Sequence, residues 1–331
     1  MAESTLSLTY TALERSIGRL LGLNRDSSEW AANEVEDVAD VIAEGFRRFL
    51  RPPPLPREMI VHRWSFLRCP AEIVLWADTS GTNSGAPVYT ALAGTSVVTA
   101  AAATFHPSMV GADLDYTVSE GSFTITAYTS PTVVTVSGDA SGENGTAFTM
   151  TADGNYRLSD DFDGVVGVFT LQDEDSYVEI RPGAEHRIRV ARQSYGGTGT
   201  PTMLAVRALA SDQETPQRWE LMAYPISASD KTADYVYEIR PDSLTSTKAY
   251  HLGGMSYSEA VLECCLWAAE DTLEDKTGIH AERAQLALVS AVMRDRQAAA
   301  PMLLGRNTIP GVVAGRHVTN VYLDGVQIMG D

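Results

Sequence analysis

The sequence contains little cysteine, few basic residues for its length and no long apolar run. Three cysteines among 331 residues, Cys69, Cys264 and Cys265, are too few for a disulfide framework, and two of them are adjacent. We therefore expect ordinary buried thiols and folding in a reducing compartment. No window approaches the ~18 apolar residues of a membrane span, and the first residues lack the basic start and apolar stretch of a signal peptide. The expectation is a cytoplasmic chain with no membrane contact.

The shortage of basic residues is greatest in the middle of the chain. The whole sequence has 25 Lys and Arg against 43 Asp and Glu, a formal net charge of -18. Residues 71–163 contain a single basic residue, Arg157. Binding nucleic acid by neutralising phosphates requires clustered Lys and Arg, so the sequence excludes that class of protein. An acidic wall would repel phosphate, and such a chain could surround DNA without holding it.

The sequence also lacks a recognisable catalytic or metal-binding arrangement. No two of the six histidines have the spacing of metal ligands on one helix. The glycine-rich segment 196–201 has no phosphate-binding lysine, and no serine lies in a G-x-S-x-G turn. Asp139, Glu143 and Asn144 lack the spacing of a calcium loop. We predict a protein that is not an enzyme and binds no cofactor or metal, with a hydrolase of scattered site residues as a distant alternative.

Four long helices are predicted, two near each end of the chain, from apolar residues at helical spacing. Their expected bounds are 9–22, 27–50, 256–276 and 279–299. Pro52-Pro53-Pro54 cannot continue the second helix and is expected to form an extended strut. The third helix is apolar over more than half of its circumference, which is typical of a helix buried between others or against a neighbouring subunit.

The rest of the chain consists of short segments of β-forming residues separated by residues typical of turns, which predicts a series of strands. The expected strands cover about 59–67, 73–76, 97–99, 117–118, 123–126, 132–136, 147–150, 165–171, 203–209, 218–224 and 235–240, with a short helix at 184–193. The fold class is therefore α+β: a bundle of about four helices with a small antiparallel β region, plus an inserted all-β domain of sandwich or barrel type. The predicted division is a core of 1–70 and 155–304, an insert of 71–154 and an extended C-terminal tail of 305–331.

Two surfaces of the predicted molecule are candidates for contacts with partners. The tail reads as strand, tight turn and strand, and an isolated hairpin is marginal in water, so we expect it to dock on a partner. The predicted contact residues are Ile309, Val312, Val313, Val318, Val321, Tyr322, Val326 and Ile328. The acidic residues Asp160, Asp161, Asp173, Glu174 and Asp175 flank a predicted strand. They form either solvated turns or a repulsive surface that faces DNA.

An ordered series of short segments resembles the head-to-tail connector (adaptor) proteins of tailed bacteriophages. The opening segments are Thr9–Leu13, Ile17-Gly18-Arg19, Glu29-Trp30, Gly45–Phe49, Arg51–Pro56 and His62–Leu67. The later ones are Tyr156–Phe162, Gly167–Thr170, Gln217–Glu220, Tyr224-Pro225, Leu252-Gly253-Gly254 and Glu259–Glu263. The resemblance covers roughly residues 9–70 and 155–305, and the block at about 71–153 departs from it as an inserted β domain.

The resemblance implies a structural virion protein at the neck, without catalytic activity. It implies a homo-oligomeric ring, commonly of twelve copies, that docks beneath the portal, continues the DNA channel and offers a surface to tail or nozzle proteins. DNA would pass through without specific binding. The alternative is a tail-associated carbohydrate-binding or host-recognition protein that acts through the β insert. Its candidate aromatic platforms are Trp76, Tyr89, Phe105, Tyr116, Phe123 and Tyr128.

Overall fold

The structure is a computed structural model and has a mixed α+β fold. It describes residues 4–54, 61–117, 121–173, 176–209, 216–273 and 278–299, together with the strand backbones at 321–323 and 326–328. The helices in these ranges are α1 Tyr10–Leu20, α2 Ala32–Leu50, α3 Glu185–Ser194, α4 Ser258–Thr272 and α5 Ile279–Ala299. All five predicted helices are present, and two of them, α2 and α4, are shorter than predicted by at least five residues.

The beginning of the second helix differs for a local reason. Ser27–Glu29 forms a separate 3-10 turn that Asp26 caps, and the extended backbone of Trp30 then interrupts the helix. The α2 helix begins at Ala32, where the Glu34 carboxylate accepts a hydrogen bond from the Ala31 N–H at 2.8 Å. That contact satisfies one of the free N–H groups at the start of the helix. The third helix is also shorter than predicted, because α4 ends at Thr272 and residues 274–277 lie outside the described part.

Most of the predicted strands are confirmed to within a few residues. In chain order the strands are β1 Arg68–Leu75, β2 Thr79–Thr82, β3 Val88–Thr90, β4 Thr95–Thr99, β5 Asp113–Tyr116, β6 Ser122–Ser130, β7 Val133–Ser137, β8 Ala147–Met150, β9 Asn155–Arg157, β10 Phe162–Asp173, β11 Ser176–Ile180, β12 Thr198–Gly199, β13 Met203–Ala208, β14 Trp219–Tyr224, β15 Ile226–Ser227, β16 Lys231–Ile239, β17 Val321–Leu323 and β18 Val326–Ile328. The strand predicted at 59–67 is wrong over 61–67, which is irregular chain followed by a 3-10 turn at Ser65–Leu67.

The strands assemble mainly into one large sheet in the middle of the chain and two sheets outside it. The middle sheet is antiparallel and has the order β2-β8-β5-β6-β7-β4-β3. A four-stranded sheet has the order β1-β16-β10-β11, and a three-stranded sheet the order β13-β14-β9. The first strand of the chain, β1, therefore lies at a sheet edge and pairs with β16 alone within the described residues.

The predicted insert and the chain around it share a buried core. The boundary predicted at residue 71 lies inside β1, whereas the pairing of β2 with β8 joins Thr79 to Met150. Trp76, Phe105 and Phe148 belong to the same buried apolar cluster as Phe169. The division of the chain at 71 and 154 stays a prediction, and the two parts meet through packed side chains rather than through a linker.

The helices enclose a second apolar core, in which α4 is central. Val261, Cys264, Cys265, Ala268 and Ala269 are fully buried, and α4 packs against α1, α2 and α5 of its own chain. The closest approach is at Gly45 of α2, where an added Cβ would lie 2.4 Å from the Cys265 Cα. Cys264 and Cys265 are buried, as predicted, whereas Cys69 is partly exposed. Burial raises the pKa of the Cys264 thiol to about 12. The apolar surface of α4 is therefore covered within the chain, so it is not evidence for a neighbouring subunit.

Candidate functional site

A stripe of exposed apolar side chains runs along α5. Ile279, Leu286 and Met293 are 58%, 66% and 51% exposed, and their spacing of seven residues places them on one face of the helix. The opposite face holds the buried side chains Ala284, Leu288 and Val292. The seven-residue repeat on the outer face is visible in the sequence but was not among the predicted contact surfaces. We call Ile279, Leu286 and Met293 the α5 stripe.

The surface near the end of the α5 stripe is also apolar. Met255 is 46% exposed, and it precedes Ser256, whose carbonyl accepts a hydrogen bond from Arg294, the neighbour of Met293. The Met255 sulfur accepts a hydrogen bond from the Ser4 hydroxyl at 3.5 Å, which brings the exposed Leu6 close to it. Exposed apolar side chains that form a continuous patch commonly mark protein interaction sites.

An acidic face lies on α2, on a different side of the helical core. Glu36, Asp37 and Asp40 are exposed, and none of them forms an ion pair with another residue in the described ranges. The α4 helix lies between α2 and α5, because it packs against both while those two make no comparable contact with each other. The molecule therefore has two unlike faces, one acidic and one carrying the α5 stripe with the exposed Arg283 beside it.

A buried carboxylate fixes the position of α5. Asp295 is 1% exposed and accepts hydrogen bonds from the Ser65 N–H at 3.0 Å, the Ser65 hydroxyl at 2.6 Å and the Tyr257 hydroxyl at 3.2 Å. Its Oδ2 also lies 2.9 Å from the His62 Nε2. Burial alone would raise the pKa of Asp295, but the hydrogen bonds from Ser65 and His62 hold this pKa below its usual value.

The Asp295 contacts tie separate segments of the chain together. Ser65 and His62 both contact the carboxylate, and the described residues show no hydrogen bond between the two side chains themselves. The Trp64 ring packs edge-on against the His62 ring and donates its indole N–H to the Phe49 carbonyl at 3.1 Å. The cluster therefore joins the segment after α2 to both C-terminal helices.

The acidic residues predicted to face DNA lie in more than one environment. The Asp160 Oδ1 pairs with Arg157 at 3.1 Å and with Arg218 at 3.3 Å. Asp161 accepts a hydrogen bond from the Tyr237 hydroxyl at 3.1 Å. The backbone of Asp173 lies at the end of β10, and Glu174 and Asp175 lie outside the described residues. Asp160 and Asp161 are thus engaged within the chain, which weakens their repulsion of phosphate.

The predicted tail contacts lie largely outside the described residues. This holds for Ile309, Val312, Val313 and Val318. The backbones of Val321, Tyr322, Val326 and Ile328 form the predicted hairpin, in which β17 pairs antiparallel with β18. Among the described residues these two strands pair with each other alone.

Three of the six aromatic side chains predicted as sugar-binding platforms are buried. Trp76, Phe105 and Tyr116 are 1%, 1% and 2% exposed and form part of the apolar core. A ring in the core cannot present its face to a ligand. The other three candidates are more accessible: Tyr89 is exposed, and Phe123 and Tyr128 are half-buried. They lie on different strands, β3 and β6.

A cleft of about 590 Å³ opens beside β1, between the four-stranded sheet and the middle region. Its lining includes Ala71–Val74 of β1, Tyr128 of β6 and the two arginines that share Asp160. The volume is in the range of ligand pockets. The cleft could not be predicted from the sequence, because its walls come from segments far apart in the chain.

The described residues offer neither a cluster of metal ligands nor a helix that could span a membrane. No group of three or more His, Cys, Asp or Glu side chains in these ranges is arranged to hold a metal ion. No described helix is long and apolar enough to cross a membrane.

Comparison with protein-family models and with curated proteins finds no match to this chain.

Proposed function

We propose that the protein is a structural adaptor that forms a ring between the portal and the tail of a tailed bacteriophage. The observation that carries the proposal is the pair of unlike faces on the helical core: the α5 stripe on one side and the acidic face of α2 on another. In a closed rotational ring each subunit presents one patch to a different patch of the next subunit. A chain that joins end to end in this way needs two such faces.

In the proposed ring the helices α1, α2, α4 and α5 act as one four-helix bundle. The α5 stripe of one copy packs against the α2 helix of the next, where Val35 is 40% exposed. Arg283 beside the stripe then approaches Glu36, Asp37 or Asp40 across the contact. An apolar centre with charged residues at its rim is the usual composition of a protein interface.

The remaining features support partners at the two ends of the ring. The β17–β18 hairpin pairs with no other described strand, as expected for a tail that docks on the portal. The segment 71–163, which contains the middle sheet, has a single basic residue, and in the proposed ring it faces outward, toward tail or nozzle proteins. The net charge of -18 suits a channel through which DNA passes without being held. The carbohydrate-binding alternative has less support, because three of its six aromatic residues are buried.

The test is the assembly state of the purified chain, alone and mixed with the portal protein of the same virus. Native mass spectrometry gives the number of copies, and negative-stain microscopy shows whether they form a closed ring. We expect a ring, with twelve copies as the proposed number, at least in the mixture. A chain that stays monomeric in both samples, at concentrations where the portal is assembled, would overturn the proposal.

A further inference from the structure

The edge of β1 that faces away from β16 has main-chain N–H and C=O groups that no described strand pairs with. Pairing with β16 satisfies one side of β1, from Arg68 opposite Glu238 to Leu75 opposite Lys231. In an antiparallel pair the N–H and C=O groups of alternate residues point toward the partner strand and away from it. Every second residue of β1 therefore directs its main-chain groups to the open side.

Two observations indicate which residues these are. Pro70 has no N–H to donate, so its position fits the outward set rather than the ladder. The Val74 carbonyl accepts a hydrogen bond at 2.7 Å from the Ser108 hydroxyl, which lies on the side away from β16. Pro70 and Val74 both differ from Glu72 by two residues, so the Glu72 N–H and C=O also point outward. Within the described residues, no backbone hydrogen bond to them is found outside the β1–β16 ladder.

The cleft beside β1 has room and side chains for an extended segment. Ala71–Val74 lie along one wall, and Tyr235 and Tyr237 continue that wall from β16. Tyr128 lines it from the middle region. Apolar and aromatic walls beside a free strand edge are the setting in which proteins bind a peptide as an added strand.

One end of the cleft is suited to a carboxylate. Arg157 and Arg218 share a single oxygen of Asp160, whose side chain is 66% exposed. The Arg157 Nε is buried and has no hydrogen-bond partner. Two guanidinium groups with one shared acceptor retain donors for a second carboxylate, and guanidinium–carboxylate pairs are among the stronger hydrogen bonds in proteins.

We propose that β1 binds an extended peptide segment of a partner protein as an additional strand, with an acidic side chain of that segment on Arg157 and Arg218. The exposed Pro70, Arg68 and Glu72 discourage unselective pairing with other sheet edges. The site is distinct from the α5 stripe, and the proposal does not depend on the ring.

The experiment begins with random linear peptides selected by display on the immobilised full chain. The affinity of each recovered peptide is then measured in solution by fluorescence anisotropy, and the peptide is rescanned with one N-methylated residue at a time. We expect sensitivity at every second position, because only alternate N–H groups of an added strand bond to β1. A scan without alternation, or a selection that returns no binding peptide, would overturn the proposal.

Substitutions in the protein test whether the peptide binds at β1. Glu72→Pro removes an outward N–H and should weaken binding by about tenfold or more, whereas the matched control Glu72→Ala keeps the N–H and should bind as the unaltered chain does. Arg218→Gln should weaken acidic peptides and leave their Asp-to-Asn versions unchanged. Unaltered binding to a folded Glu72→Pro chain would contradict the assignment. If that variant does not fold, the N-methyl scan decides.

Discussion

His62 and Asp295 are 233 residues apart in the chain, and their side chains meet at 2.9 Å. The contact joins the segment that follows the triple proline to the C-terminal half of α5. Because the same carboxylate also accepts from Ser65 and Tyr257, it holds three separate segments in one place. The orientation of the α5 stripe, and with it the proposed subunit contact, depends on this carboxylate.

Replacing Asp295 by Asn should destabilise the fold by about 2–4 kcal/mol, since buried donors lose a charged acceptor. Urea-induced unfolding measures the change in the free energy of unfolding. The matched control is Asp37→Asn on the exposed face of α2, which should change that free energy by less than about 0.5 kcal/mol. Equal stabilities of the two variants would contradict the role given to Asp295.

Asp295 should also make the stability depend on pH. Its pKa in the folded chain lies below the usual value, so its stabilising effect is complete above the unfolded pKa of about 3.9. The effect is lost as the pH falls through the folded pKa. The difference in the free energy of unfolding between the unaltered chain and Asp295→Asn should therefore be constant near neutral pH and shrink below about pH 4. A difference that grows on acidification would have the wrong sign.

Gly45→Ala should destabilise the helical core by about 1–3 kcal/mol, because the new methyl group would overlap the backbone of α4 at Cys265. The loss should appear although alanine favours a helix by about 1 kcal/mol over glycine. Thermal unfolding monitored by circular dichroism provides the measurement. Gly85→Ala is the control, since no atom lies within 4 Å of an added Cβ there. A stabilised Gly45→Ala chain would show that α2 and α4 are not so close.

Leu286→Asp should prevent ring assembly while leaving the chain folded, because the side chain is 66% exposed. The charge would be buried without a partner in the proposed contact with the next copy. Sedimentation velocity, with and without the portal, reports the assembly state. Leu92→Asp alters a fully exposed apolar residue in the turn between β3 and β4, and this chain should assemble normally. If the Leu286→Asp chain formed rings and the Leu92→Asp chain stayed monomeric, the α5 stripe would not be the subunit contact, and the contact would lie on the middle sheet instead.

A chain ending at Leu304 should remain folded and lose its affinity for the portal. The described members of the two apolar cores all precede residue 300, so we expect the truncation to leave these cores folded. Pull-down on the assembled portal measures the loss, and circular dichroism confirms folding. Replacing residues 305–331 by a flexible Gly/Ser linker of equal length should fail in the same way, which separates specific contact from mere length. Undiminished docking by either form would contradict a docking role of the tail.

The helices could be predicted because each has its own local signals. Thr9 caps α1, with its hydroxyl accepting from the Ala12 N–H at 3.3 Å, and the bounds of α5 are as expected. The environment of α4 was harder to predict. Its sequence is apolar over more than half of its circumference, and periodicity alone cannot say whether the covering residues come from the same chain or from another copy.

The strand expected at 59–67 is wrong over 61–67 because of contacts that the sequence does not reveal. Trp64 and Phe66 alternate as in a strand, yet the Ser65 N–H bonds to the Asp295 carboxylate, and the Trp64 indole bonds to the Phe49 carbonyl. For the Ser65 N–H, a side-chain acceptor thus takes the place of a partner strand. The cleft beside β1 was unpredictable for a similar reason, since the pairing of β1 with β16 joins residues about 160 positions apart.

The two ends of the segment that forms the middle sheet, residues 79–150, lie side by side. Thr79 pairs with Met150, and the Asp78 carboxylate accepts a hydrogen bond from the Ala152 N–H at 2.8 Å. Because the ends are neighbours, a gene could gain or lose this whole segment during evolution without moving the flanking backbone. However, Trp76 belongs to the same buried cluster as Phe105 and Phe148 of this segment. Removing the segment would expose apolar surface on the rest of the chain, so we expect substitutions in the two parts to occur together.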